Sequence, residues 1–476
     1  MKKKLVSDIS ANSLQVIINQ LSGLVIFYIL STQLSKDQFG EINWTLAVLL
    51  TLFNILSFGI DQVVIKKIAA GNNINATLTA YTVHVVFSGL VVYAVLAICH
   101  FLFSGFFHLH QLLLLIGAGK LMLFFATPFK QLANGLEKFK PLLFMSTCSN
   151  LLRSAALIFL AFTENITLQT VIIVFIAGDA AELLLCLAIT KYQLKTPVTL
   201  RWNKANYTSL LKESLPQLGV ALFTSAIARF DWIFLGLFTS TVVLANYSFA
   251  YKVFEMATVP LLVIAPILIP RFTKLFAAGN EDVPAVTMNR LLALLRFEII
   301  IACGVALLLN MLWVPVIDLI TQNKYGAVNT HTILFLSACM PFLYFNNFLW
   351  TISFTRGNLK AIFYIFLICF IVNITATVTA IPFFSGEGAA AAYLFATIIQ
   401  SLLFYRHCAF YKYKAAVLQL LLILIYTAAA GLLATRLFTN TGFITISALC
   451  FYIAALVLTG LIKRSDWHLF KQTTGW

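Results

Sequence analysis

ESLPQLGVALFTSAIARFDWIFLGLFTSTVVLANYSFAYKVFEMATVPLLVIAPILIPRFTKLFAAG, residues 213–279, is the stretch on which the fold class turns. It contains two apolar runs, 215–238 and 246–270, joined by a short polar turn. A hydrocarbon core about 30 Å thick needs about 20 helical residues at about 1.5 Å each, and both runs supply that length. Yet each carries ionisable groups at depth: Arg229 and Asp231 in the first, Lys252 and Glu255 in the second. A central charge costs about 2.5–3.5 kcal/mol even on the lower insertion scale, so these groups need partners or a wet cavity. Counted inward from the turn, Asp231 matches Lys252 in depth and Arg229 matches Glu255. Two arrangements fit. The charges form ion pairs that fix how the helices pack, or they line a water-filled cavity crossed by a charged substrate or a coupling ion.

Composition extends this reading to the whole chain. With 61% hydrophobic residues, 10% charged residues, a mean hydropathy of +0.93 and 43 Phe in 476 residues, the chain is excluded from the soluble globular class. The formal charge of +15 would suggest nucleic acid in a soluble protein. Here most basic residues fall in short loops on one side of the predicted membrane, so no nucleic-acid partner is expected.

The apolar runs predict an all-α integral membrane protein with about fourteen transmembrane helices, at 13–34, 42–65, 78–103, 112–131, 142–163, 168–190, 215–238, 246–270, 291–320, 332–354, 361–384, 389–405, 415–438 and 442–462. The first is too long for a signal-peptide core and lacks a small-residue cleavage site, so it reads as an uncleaved span. With both termini cytoplasmic, only Lys36, Lys324 and Arg436 fall on the periplasmic side, and Lys120, Arg153, Arg229, Lys252 and Arg296 fall within spans; the other 24 of the 32 Lys and Arg are cytoplasmic. That asymmetry obeys the positive-inside rule, and an odd number of spans would destroy it. A count of twelve also preserves it.

An internal repeat is visible. FGEINWTLAVLLTLFNILSFGIDQVVIKKIAAG (39–71) and LANYSFAYKVFEMATVPLLVIAPILIPRFTKLFAAG (244–279) both begin at a turn with an aromatic, interrupt the helix with Gly or Pro, and close on a basic residue before AAG. Six spans separate them, so the two halves share one orientation, related by a pseudo-twofold axis along the membrane normal. The expected organisation is an N-terminal six-helix lobe (1–200), a C-terminal six-helix lobe (201–410), and two additional C-terminal helices with a cytoplasmic tail (411–476). Gly59, Pro260 and Pro266 mark the bend points, because proline removes an intrahelical hydrogen bond.

The segments LSKDQFGEINWTLAVLLTLFNILSFGIDQVVIKKIA (34–69), ARFDWIFLG (228–236), ANYSFAYKVFE (245–255) and PILIPRFTKL (266–275) resemble bacterial polysaccharide biosynthesis proteins of the Wzx type. These are oligosaccharide-lipid flippases of the multidrug/oligosaccharidyl-lipid/polysaccharide exporter superfamily. The resemblance covers essentially the whole chain through length and span pattern, without an invariant catalytic signature. It implies two lobes around a central cavity and alternating access. The substrate it implies is an undecaprenyl-diphosphate-linked glycan, such as an O-antigen repeat unit, carried to the periplasmic side of the inner membrane. Membrane lipids and other polysaccharide-assembly proteins are the further partners expected.

A lipid-linked glycan brings an anionic diphosphate, so its path should offer cations, and arginine's planar fork suits phosphate best. The candidates are Arg153, Arg229 and Lys252, then Lys120 and Arg296. Five carboxylates also lie within spans, Asp179, Glu182, Asp231, Glu255 and Glu298, so the expected intramembrane charge is zero. Either they are structural partners or some bind a coupling H+ or Na+; no other cofactor is expected. Asp179 and Glu182, spaced i, i+3, share a face, and Asp179 lies near the depth of Arg153, where an ion pair is the ordinary account. Asp61, after Gly59, reads as a wetted helix-end residue.

Other apparent motifs carry no chemistry. Gly117-Ala-Gly-Lys120 lacks the remaining phosphate-loop positions, the seven His show no metal spacing beyond His108 and His110, and the eight Cys form no paired motif. The function expected first is flipping of lipid-linked oligosaccharide. The alternatives are a cation-coupled multidrug antiporter, in which Asp179, Glu182 and Glu255 would dominate, and a peptidoglycan-precursor flippase. An integral-membrane glycan polymerase would need a sizeable extracytoplasmic loop, and the predicted loops are short turns.

Overall fold

The computed structural model describes residues 2–71, 73–102, 110–195, 203–261, 285–408 and 414–462. Among them are fourteen α-helices and no strand. In chain order they are α1 (Lys2–Gln33), α2 (Lys36–Leu56), α3 (Ile60–Ala69), α4 (Ile74–Leu102), α5 (His110–Gly135), α6 (Phe139–Phe162), α7 (Leu168–Ile189), α8 (Lys204–Phe238), α9 (Thr241–Ala257), α10 (Ala285–Thr321), α11 (Thr330–Thr355), α12 (Leu359–His407), α13 (Lys414–Leu437) and α14 (Thr441–Leu458). Eleven of the described helices are long and apolar enough to cross a membrane. An all-helical solution follows from the solvent, since hydrocarbon offers the backbone no hydrogen bonds and each segment must satisfy its own. Large apolar side chains such as Phe87, Phe101, Phe383 and Leu458 point outward, a surface stable against lipid and not against water.

Local chemistry sets the helix starts. Ser35 and Gln38 cap α2 reciprocally, with the Gln38 N–H donating to Ser35 Oγ at 3.2 Å. Thr167 and Thr170 do the same for α7. Asn440 Oδ1 accepts from the Gly442 N–H at 2.9 Å to open α14.

Two segments differ from the sequence expectation. The span predicted at 42–65 is broken into α2 and α3, with Phe58 (φ 54°) and Gly59 (φ 67°) in left-handed conformation between them. The polar segment before residue 215 is partly helical, because α8 already begins at Lys204. The stretch labelled α12 is two helices meeting at a kink at Ser385 (φ 50°, ψ −128°), just past Pro382, which is where the spans predicted at 361–384 and 389–405 part. The expected bend at Pro266 and the end of the 246–270 span lie outside the described residues.

The break in α12 depends on close backbone approach. A Cβ on Gly388 would lie 2.6 Å from the Ala380 carbonyl oxygen. Gly388→Ala is therefore expected to cost about 1–3 kcal/mol, the usual penalty of overpacking. It should lower the thermal midpoint in detergent, and an unchanged midpoint would show that the break relaxes freely.

The chain forms two compact units, Met1–Gly236 and Leu237–Trp476. In the first, α5, α6 and α7 enclose Ala126, Phe129, Ala133, Leu142, Met145, Cys186 and Ile189, and Trp44 Nε1 donates to the Ile233 carbonyl at 3.1 Å, tying α2 to α8. In the second, α10 and α11 pack through Leu291, Leu295, Ile299, Phe345, Phe348 and Leu349, with Ala448, Tyr452 and Leu456 of α14 in the same cluster.

Candidate functional site

Inside the first unit, α5, α6 and α7 bring together Lys120, Lys130, Ser149, Arg153, Asp179 and Glu182. Asp179 is fully buried, and Lys120 and Arg153 are each 5% exposed. Arg153 forms an ion pair with Asp179 Oδ1, the partner that matching depth predicts. Lys120 Nζ reaches the other oxygen of Asp179 at 3.2 Å, and the Ser149 hydroxyl donates to Oδ1 at 3.0 Å. One turn along α7, Glu182 pairs with Lys130 and accepts from the Ser149 backbone N–H at 3.1 Å. The Phe175 ring, a turn before Asp179, lies 4.6 Å from the Arg153 guanidinium carbon and 5.6 Å from Lys120 Nζ. Its negative face adds attraction where water is excluded. Gly119 permits the approach of α5 to α7: a Cβ there would sit 2.9 Å from Asp179 Oδ2.

The network holds one cation that was not among the candidates, Lys130. Lys130 falls at the edge of its predicted span and is absent from the balance drawn for the membrane, yet it joins the buried group. Three cations face two carboxylates, a net charge of +1. The sequence did hold a signal, because a second carboxylate one turn from Asp179 calls for a second cation and Lys130 is the next basic residue on α5. Arg153 Nε has no hydrogen-bond partner among the described residues, so the guanidinium keeps a donor in reserve.

The remaining candidates make contacts of their own. Arg229 stacks its guanidinium over Trp232 at 4.7 Å, and Asp231 Oδ1 accepts from the Trp232 N–H at 2.8 Å. Within the second unit, Lys252 Nζ donates to Glu255 at 2.6 Å, three residues on along the same helix. Arg296 and Glu298 lie on α10, Glu298 only 4% exposed. Asp61 opens α3, where the helix dipole favours a carboxylate, and it accepts a hydrogen bond from Tyr81. It is thus a bonded, half-buried group where a wetted one was expected.

Beside Asp61 the structure reveals a bridge not foreseen from sequence. His84 Nε2 lies 2.9 Å from the Leu56 carbonyl, an acceptor freed by the break after α2, and Nδ1 lies 3.1 Å from Tyr207 Oη. The ring thereby joins the broken span to the start of α8. Lys67 adds a second tie to α8 through Glu213 at 2.7 Å, and hydrogen bonds from Lys67 and Ser209 hold that exposed carboxyl below its ordinary range.

Fold and site together define a polytopic helical membrane protein with charged groups sequestered between its spans. The chain belongs to the polysaccharide biosynthesis protein family, whose model matches residues 5–276. Among solved structures, the lipid II flippase MurJ in an inward closed conformation aligns with a TM-score of 0.72 at 14% identity, over 98% of this chain and 99% of that one. An inward-facing multidrug-resistance MATE transporter of the MOP superfamily aligns at 0.65 and 12% identity, over 85% and 99%. A MOP-superfamily transporter from Pyrococcus furiosus aligns at 0.58 and 13% identity, over 86% and 96%. The chain is therefore folded like these transporters. No curated protein matches the sequence.

Proposed function

We propose that this protein flips an undecaprenyl-diphosphate-linked oligosaccharide, a repeat unit of a surface polysaccharide, from the cytoplasmic to the periplasmic face of the inner membrane by alternating access. The observation that carries this reading is the excess of the buried Lys120 and Arg153 and the half-buried Lys130 over Asp179 and Glu182 in a chain of the polysaccharide biosynthesis family. A diphosphate needs donors and positive charge once it leaves water. An organic cation needs free carboxylates, and here both carboxylates are already engaged by cations. Arg153, with its reserve donor and its place over Phe175, is the leading diphosphate contact. The site is closed in this state, so contact belongs to the state in which α5, α6 and α7 admit the headgroup. Arg229, Lys252 and Arg296 are the further candidate cations for the headgroup.

Reconstitution of the purified protein in proteoliposomes tests this. A defined undecaprenyl-diphosphate oligosaccharide on one face should become accessible on the other only when the protein is present. A lipid II-type precursor in parallel vesicles separates glycan-repeat from peptidoglycan-precursor flipping. Exchange of organic cations without movement of either lipid would replace the reading with antiport.

A further inference from the structure

Glu298 is the intramembrane carboxylate whose surroundings differ most from those of Asp179 and Glu182. It is 4% exposed, and neither of its oxygens has a hydrogen-bond partner among the described residues. It lies within the span of α10 that runs through Leu291–Thr321. The helices packed against α10 are α11, α13 and α14, and none of these described helices brings a cation to it. Between its ends α11 has no Lys, Arg, Asp or Glu; its His331 sits at the first turn, paired with Glu387 at 3.2 Å. α13 carries basic residues only at its two ends, Lys414 and Arg436, and α14 carries no charged residue. The titratable groups that face this region are Tyr344 of α11, within electrostatic reach of Glu298, Cys303 on α10 itself, and Tyr452 of α14, whose hydroxyl donates to the Ile300 carbonyl at 2.9 Å. Arg296 is two residues away on α10, about 200° around the helix axis and so on another face.

An ionised carboxylate without a counterion or a donor is untenable in such a place, because desolvation costs far more than protonation does. A protonated carboxyl is tolerable there, and it can lose its proton only if a movement of α10 against α11 and α14 opens it to water. We propose that Glu298 is the proton-exchange site of the second unit: it holds a proton in this closed state and releases it when the unit opens, coupling substrate movement to the proton gradient. The inference rests on the transport reading above and adds to it the coupling ion and its residue. The roles divide between the units, with paired charges for the anionic headgroup in one and a single neutralised carboxyl for the proton in the other.

Two measurements test it on the full-length protein in proteoliposomes. First, dicyclohexylcarbodiimide, which enters apolar sites and adds the O–H of a protonated carboxyl across its C=N bond, should modify Glu298, located by mass spectrometry. Modification should be strong at acidic pH and lost at alkaline pH. No modification at any pH, or modification that never declines, overturns the proposal, since the group would then be ionised or permanently protonated. Second, an imposed proton gradient should accelerate glycan translocation by the native protein. Glu298→Gln, a neutral near-isostere that keeps the packing, should fold normally and lose that acceleration. A Glu298→Gln variant that still responds to the gradient overturns the proposal. Native vesicles that move no glycan refute the substrate reading instead, and the pH dependence of labelling then decides by itself whether Glu298 exchanges a proton.

Discussion

Asp179→Ala is expected to destabilise the protein by about 3–5 kcal/mol, the cost of breaking a buried ion pair by removing one partner. Asp179 is the common acceptor of Arg153, Lys120 and the Ser149 hydroxyl, and its removal leaves three cations facing Glu182 alone. Thermal or denaturant unfolding in detergent reads the loss. Glu182→Ala should cost less, because it orphans Lys130, which retains some access to solvent. The combined change Lys120→Met, Arg153→Met and Asp179→Leu should recover most of the stability, since well-packed apolar groups replace buried ions at little net cost. Wild-type stability in the Asp179→Ala protein would show that water already reaches these charges.

Arg153→Met separates folding from transport. Asp179 keeps Lys120 and Ser149 in this variant, so the protein should fold with a modest loss, while the charge of the network falls from +1 to zero. Under the flippase reading, translocation should drop about 10- to 100-fold, corresponding to the roughly 1.5–3 kcal/mol of a charge-assisted hydrogen bond. Arg153→Lys should recover part of it, because lysine supplies the charge without the planar fork. The comparison is made in proteoliposomes at equal protein insertion. Unimpaired translocation by a folded Arg153→Met protein would assign Arg153 to packing and remove it from the substrate path.

These two residues also show how far one dimension of information reaches. Depth along a helix follows from counting, and counting put Arg153 opposite Asp179 and both carboxylates on one face of α7. It missed Lys130, because the balance was drawn at a span boundary and a long lysine side chain reaches several ångströms past its own Cα. It could not foresee the Ser149 N–H donating to Glu182, since a helix-interior amide is ordinarily committed to its own helix. Lys252 and Glu255 add a contact that depth matching did not consider, since the i, i+3 spacing lets them meet on their own helix.

What the sequence by itself determined was the class of protein and much of its plan: a helical membrane chain with long apolar runs, and charges at depth that needed an explanation. Hydrocarbon enforces helices wherever such runs occur, so composition and periodicity suffice. Only the tertiary structure decided that the bend marked at Gly59 is a full break shared with Phe58, and which buried charges found partners. Those outcomes depend on the rotation of each helix about its axis and on the neighbour it meets. Among the described residues, Asp179 faces three donors and Glu298 faces none because packing, acting between segments far apart in the chain, placed one among cations and the other among apolar side chains.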